Sequence, residues 1–219
     1  MKNKLISLED AVARIPDGAS ILFGGFMAVG GPTRLVDEII RQRKSGLTII
    51  ANDTARPHQG IGKLVVEKLV AKVITSHIGL NPDTQKQMIA GDIEVELVPQ
   101  GTLAERIRAG GVGLGGVLTP TGVGTTVEEG KRTVEIDGKT FLLETPIKAD
   151  FALLAAKQAD LYGNLTYALT ARNFNPIMAL AGATVIAEAE DILPVGCIAP
   201  DAVMTPSVLV DHIVTARPR

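Results

Sequence analysis

The stretch Asp17–Pro32, DGASILFGGFMAVGGP, decides the fold. It opens on an Asp17-Gly18 turn and runs through the apolar Ile21, Leu22 and Phe23. It then passes into a loop carrying Gly24, Gly25, Gly30 and Gly31. Pro32 follows, and proline suits the first turn of a helix because its missing N–H would have no partner there. The stretch therefore reads as strand, glycine loop, helix start. Glycines let backbone amides come close to a ligand and take positive φ. The helix that follows would aim its positive end at whatever the loop holds. A plainer reading is a strand-to-helix turn that needs glycine only for its bends. The G-x-G-x-x-G spacing is absent and no Gly-Lys-Ser/Thr follows, so the stretch is neither a dinucleotide fingerprint nor a P-loop.

Working outward, the same grammar repeats. Ser7 to Asp10 reads as a capping box opening a short helix with Leu8, Val12 and Ile15 on one face. Pro32 to Arg43 places Leu35, Val36, Ile39 and Ile40 on one helical face, ending toward Gly46. LTIIA (Leu47–Ala51) reads as a strand covered on both sides, followed by Asn52-Asp53. Lys63 to Val70 reads as helix. KVITS (Lys72–Ser76) is a third strand, ending at Ser76-His77. Asn81-Pro82 caps a helix ending at Gly91, and EVELV (Glu94–Val98) is a fourth strand ending at Pro99-Gln100-Gly101. Thr102 to Ala109 reads as a helix closed by Gly110-Gly111. Four strand–helix alternations predict an open α/β fold, a mainly parallel sheet with helices on both faces. Ligands of such sheets sit outside the carboxyl ends of the strands. Here those ends carry Gly24-Gly25, Asn52-Asp53, Ser76-His77 and Gln100, a convergence of amides and hydrogen-bonding groups.

The glycine-rich run Gly110–Gly124 (GGVGLGGVLTPTGVG) shows neither helix nor strand. Its apolar residues argue for an ordered loop at a cleft or a subunit contact. Thr133 to Glu144 reads as a hairpin turning at Asp137-Gly138. Asp150–Ala156 and Thr184–Ala187 are further strands, with a helix from Ile177 to Ala181 between them, and the tail alternates turns and short strands through His212-Ile213-Val214. No linker divides the chain, so residues 1–219 are expected to form a single domain.

A net charge of −2 gives no reason to expect nucleic acid or an anionic membrane as partner. No apolar run is long enough to span a bilayer, and the N-terminus MKNKLISLED becomes charged before a signal-peptide core can form. Cys197, alone in the sequence, cannot form an internal disulfide. It is expected to be a packed, inert thiol in a reducing compartment, which places the protein in the cytoplasm. Hydrophobic residues make up 46% before glycine is added, a surplus that suggests surface buried against another chain. His58, His77 and His212 have no ligand spacing, so no metal is inferred.

Asp17-Gly18, Ile21 to Phe23, Gly24-Gly25-Phe26, Gly30 and Pro32 together resemble the first signature of the family I coenzyme A transferases. VPQGTLAERIRAGG (Val98–Gly111), LTPTGVGT (Leu118–Thr125) and ARNFNP (Ala171–Pro176) resemble stretches of the α half of that family, in order and spacing, and are most similar to its acetate/butyrate–acetoacetate type. The resemblance implies an active site built between an α and a β half, with the nucleophilic glutamate in a Ser-Glu-Asn-Gly motif of the β half. This sequence has no such motif. Glu94, Glu96, Glu105, Glu128, Glu129 and Glu144 sit in charged or amphipathic contexts and read as solvated or ion-paired.

The resemblance therefore implies one subunit of a two-chain enzyme, a hetero-oligomer such as α2β2 or α4β4. Its substrates would be a coenzyme A thioester and a short-chain carboxylate or 3-oxoacid, with no permanently bound cofactor. On this chain it implies that Gln100 and Asn52 orient the substrate or its oxyanion. The loop Gly24, Gly25, Phe26, Met27, Ala28, Val29 and Gly30 would face the coenzyme. Gln100 could instead cap the helix that begins near Thr102. Asp53 stands where some relatives carry a second asparagine, which leaves its role open. Other expectations remain: a 3-oxoadipate or succinate type of the same family, a sugar-phosphate isomerase with Asp53 as its acid/base group, and a non-catalytic ligand sensor.

Overall fold

A computed structural model describes residues 3–216, so Met1 and Lys2 of the charged N-terminal stretch lie outside it. The order is α1 (Leu8–Ala13), β1 (Ser20–Phe23), α2 (Thr33–Arg41), β2 (Leu47–Asp53), α3 (Gly62–Val66), β3 (Val70–His77), α4 (Pro82–Ala90), β4 (Glu94–Leu97), α5 (Gln100–Val112), β5 (Val117–Thr119), β6 (Thr133–Ile136), β7 (Lys139–Glu144), β8 (Ala149–Asp160), β9 (Leu165–Thr166), α6 (Asn175–Ala181), β10 (Gly182–Leu193) and β11 (His212–Thr215). The main sheet runs β11-β10-β8-β1-β2-β3-β4 with every neighbouring pair parallel, and β9 adds antiparallel to β8. The expected open, mainly parallel α/β sheet is what forms.

Alternate residues of the central strands face opposite layers. Ile21 and Phe23 of β1 and Ile49 of β2 pack with Leu35, Val36 and Ile39 of α2 and with Leu64 and Val65 of α3. Leu22 and Ile50 point the other way, onto Leu103 and Ile107 of α5 and Met178 of α6. From β1 the chain steps outward to β4, then returns to add β8, β10 and β11 on the other side of β1. The order reverses at β1, which makes the carboxyl end of β1 the switch point where a crevice opens in sheets of this kind.

The local signals hold where a side chain does the capping. The Ser7 hydroxyl accepts from the Asp10 N–H at 3.0 Å, and the Asn81 side chain caps α4 through Asp83 and Thr84. Asp137 and Gly138 both have positive φ at the β6–β7 hairpin, as the two-residue turn requires.

Four expectations need correction. The helix expected over Lys63–Val70 ends at Val66, and β3 already begins at Val70, paired with Leu47. Gly110-Gly111 does not close α5. The helix runs through both to a left-handed Gly113, and a Cβ on Gly110 would lie 1.9 Å from the Ile147 carbonyl oxygen and one on Gly111 2.3 Å from Leu180 Cβ. These glycines permit close packing of α5 rather than terminating it. The run to Gly124 is not structureless either, since Val117–Thr119 pairs with β7 in a small antiparallel sheet, β5-β7-β6. Cys197 is exposed rather than packed.

Among the described residues no helix is long and apolar enough to cross a membrane.

Candidate active site

The glycine loop lies at the switch point. Phe26 and Val29 bond each other's backbone at 3.0 and 2.9 Å, leaving Met27 and Ala28 as the two central residues of a tight turn. Both take positive φ, +50° and +67°. Positions of this kind normally belong to Asn or Gly, and an ordinary side chain there costs roughly 1–2 kcal/mol. Such strain persists only where surrounding structure holds it.

Three side chains from distant parts of the chain do the holding. Asn173 Oδ1 accepts from the Gly25 N–H at 3.1 Å, and Asn173 Nδ2 donates to the Val29 carbonyl at 2.9 Å. Asn175, fully buried, donates through Nδ2 to the Gly30 and Ala171 carbonyls, and its Oδ1 accepts from the Ala155 N–H of β8. Gly24 must be glycine for this reason: a Cβ there would sit 1.8 Å from Asn175 Oδ1. Asp53, at the end of β2, accepts from the Met27 N–H at 2.8 Å. The ARNFNP stretch was legible as a motif, but its two asparagines as clamps of a loop some 145 residues earlier were not.

The amide residues at the strand ends meet as expected. Gln100 is exposed, and its Nε2 donates to Asn52 Oδ1 at 3.2 Å. Gln100 is the first helical residue of α5 and makes no cap, since the residue before it, Pro99, is the N-cap and the helix start has no side-chain cap bond. One N–H and the Oε1 acceptor of Gln100 are left for a ligand. Ser76 Oγ donates to the Asn52 carbonyl at 2.6 Å, tying the end of β3 to that of β2. His77 pairs with Asp53 in strand register but is outward and exposed.

The α2 N-terminus is not open to a ligand as its position suggested. Glu188, on β10 and only 6% exposed, accepts from the Leu35 N–H at 2.9 Å and bonds the Arg34 backbone, capping α2 from across the sheet. Burial pushes its carboxyl above the ordinary glutamate value, and the two backbone donors and the Arg34 charge pull against that shift. No local signal marks Glu188, because its partner is 153 positions away.

The remaining acidic residues behave as expected of solvated or paired groups. Glu94 pairs with Lys72, Glu96 with Arg106, Glu105 with Arg108 and Glu144 with Lys131, while Glu128 accepts from the Gly124 N–H. The pocket beneath the loop, lined by Gly25, Ala28, Asp53, Ala55, Gly60 and Ile61, holds about 20 Å³. That admits a water and not an acyl chain. A larger groove of about 470 Å³ runs beside Gln100 between α5 and β5, lined by Gly101, Thr102, Arg108, Leu118 and Thr121. The glycine-rich run therefore does border a cleft. Around the loop Phe26, Val29 and Leu169 are exposed, Leu169 by 95%.

A doubly wound parallel sheet with a clamped glycine loop at its switch point and an amide pair at the neighbouring strand ends is the arrangement in which α/β proteins of this class hold ligands. A coenzyme A transferase family model matches residues 5–216, and the chain belongs to that family. It is 53% identical over 217 residues to the acetate CoA-transferase subunit alpha of Escherichia coli K12, covering 99% of both chains. It is 49% identical over 214 residues to the acetoacetyl-CoA:acetate/butyrate CoA transferase alpha subunit of Clostridium acetobutylicum, covering 98% of both. An acyl-CoA transferase of Escherichia coli O157:H7, solved as a thioester complex with CoA, superposes with a TM-score of 0.87 over 98% of this chain. At 24% identity that likeness speaks for the fold alone, and this chain spans 47% of that longer one.

Proposed function

We propose that residues 1–219 form the α-subunit domain of a two-chain transferase that moves coenzyme A between a short-chain acyl group, acetyl or butyryl, and acetoacetate. The observation that carries this reading is that the carboxylates at the site are already engaged. Asp53 Oδ2 accepts from Met27 and Asn52, its Oδ1 accepts from Ala55, and Glu188 caps α2. A carboxylate nucleophile needs a lone pair aimed at the substrate; three bonds to a buried Asp53 and the capping role of Glu188 support a reacting group from a second chain. The same bonds argue against an isomerase that uses Asp53 as its acid/base group. The names of the two relatives, each an alpha subunit, support the same division.

In this reading a glutamate of the partner attacks the thioester carbonyl and expels the CoA thiolate, leaving an acyl–glutamyl anhydride. The thiolate then attacks the glutamyl carbonyl, releasing the first carboxylate and forming a glutamyl-CoA thioester. The acceptor acid takes the coenzyme by the reverse sequence. Each addition builds an oxyanion, and the remaining N–H of Gln100 is a neutral donor suited to it. The loop Gly24–Gly30 would line the path of the coenzyme, and Asn52 would hold Gln100 in place. No resident cofactor is needed for these steps. The exposed Cys197 suits a reducing compartment, the cytoplasm. Exposed Phe26, Val29 and Leu169 beside the loop suit coverage by the partner.

The test is to reconstitute the pair and measure CoA transfer against a panel of acceptor acids. Highest kcat/KM with acetate or butyrate supports the reading. Preference for succinate or 3-oxoadipate moves the protein to that type of the same family, and no transfer to any acid overturns it.

A further inference from the structure

Asp53 joins the two halves of the site. Its Oδ2 lies 2.8 Å from the Met27 nitrogen in the strained turn and 2.7 Å from Asn52 Nδ2, and its Oδ1 lies 2.8 Å from the Ala55 nitrogen. The residue is buried, so water does not compete for these bonds. The oxygen and nitrogen of an amide side chain have nearly the same shape, and their assignment rests on their partners. An ionised carboxylate settles the assignment here, because it can only accept. Asn52 must turn its Nδ2 toward Asp53, which leaves Oδ1 facing Gln100. Gln100 must then present Nε2 to Asn52, as it does at 3.2 Å.

We propose that Asp53 is a positioning residue: its acceptor-only carboxylate fixes the donor–acceptor direction of the Asn52–Gln100 pair and anchors the Met27–Ala28 turn, registering the loop against the amides that meet the substrate. This rests on the transferase reading above. Met27 and Ala28 hold positive φ between the Asp53 bond to the Met27 N–H and the Asn173 bonds to Gly25 and Val29, so removing the Asp53 acceptor should loosen the turn.

Asp53→Asn separates this role from packing, because it keeps the shape and changes only the hydrogen-bond character. An amide has one oxygen for these three donors: turned toward Met27 and Asn52 it sets its NH2 against the Ala55 N–H, and turned toward Ala55 it sets its NH2 against the Met27 N–H and Asn52, so the loop and the amide pair can no longer both be held. In the reconstituted two-chain enzyme we expect kcat and kcat/KM for Asp53→Asn to fall together by about tenfold or more, with a lowered melting temperature, since one buried backbone N–H loses its acceptor. With only this chain ¹⁵N-labelled in the complex, the Gln100 side-chain amide signal, assigned by its loss in Gln100→Ala, should shift in Asp53→Ala, where Asn52 loses the acceptor that orients it. Met27 amide exchange should speed up in Asp53→Ala. Wild-type kinetics in Asp53→Asn, or a Gln100 signal that does not move in Asp53→Ala, overturns the proposal. The amide measurements need no turnover, so they test Asp53 even if the wild-type pair transfers no CoA, the result that would instead overturn the transferase reading.

Discussion

Gln100 donates its side-chain amide to Asn52 at 3.2 Å, bridging the first turn of α5 and the last turn-facing residues of β2 across 48 positions of sequence. The bond spends one of the two Gln100 N–H groups and holds the exposed side chain at the mouth of the site. Gln100→Ala should therefore fold normally, since no cap is lost, and lower kcat/KM of the reconstituted enzyme by roughly 10²-fold or more, the size expected for one oxyanion donor. Unchanged kinetics would reduce the residue to a surface amide.

Gly25 has φ +123°, and a Cβ there would lie 3.2 Å from Gly31 Cα. A β-branched side chain is unsuited to that backbone. Gly25→Val should keep the far-ultraviolet circular dichroism of the sheet yet distort the loop and raise KM for the CoA ester. If its CoA-ester kinetics match the wild type, the loop serves only as a turn.

Glu188 carries a pH signature whose sign follows from its burial. Its carboxyl in the fold lies above the ordinary glutamate value of 4.5, chiefly because burial disfavours the charge. Between that value and the raised folded one, the folded chain keeps a proton that the unfolded chain has lost. The stability Glu188 contributes is thus complete below the unfolded value and declines as pH rises through the window. Glu188→Gln keeps an acceptor for the Leu35 N–H and removes the charge, so its stability relative to wild type should rise with pH. Urea unfolding of both proteins from about pH 4 to 8 measures this. A difference that stays flat shows that burial of the charge costs nothing.

The chain without its partner should transfer no CoA, and hydride trapping of an acyl–enzyme should label nothing on it, because Asp53 and Glu188 are committed to backbone and amide donors. Adding the β subunit should restore turnover and bury an interface on the order of 2,000 Å² or more, as obligate partners do. Transfer by the isolated chain, with mass spectrometry excluding a contaminant, sends the search back to its own carboxylates.

The sequence by itself determined the layers and which residues stand at the strand ends. Strand and helix periods, the Ser7 and Asn81 caps and the Asp137-Gly138 turn depend on residues a few positions apart, so their signals are local and readable. Alternation of strand and helix then forces the strand ends, with Gly24, Asn52 and Gln100, onto one edge of a parallel sheet. Only the tertiary structure decided what Gly110 and Gly111 are for, because close approach to Ile147 and Leu180 has no local mark. The same is true of Asn173 and Asn175 clamping the loop, Glu188 capping α2, and Asp53 joining loop to amides. A hydrogen bond between groups that meet only after the sheet has formed leaves no periodicity in the chain, since what selects the residue is the geometry of its distant partner and not its neighbours in sequence.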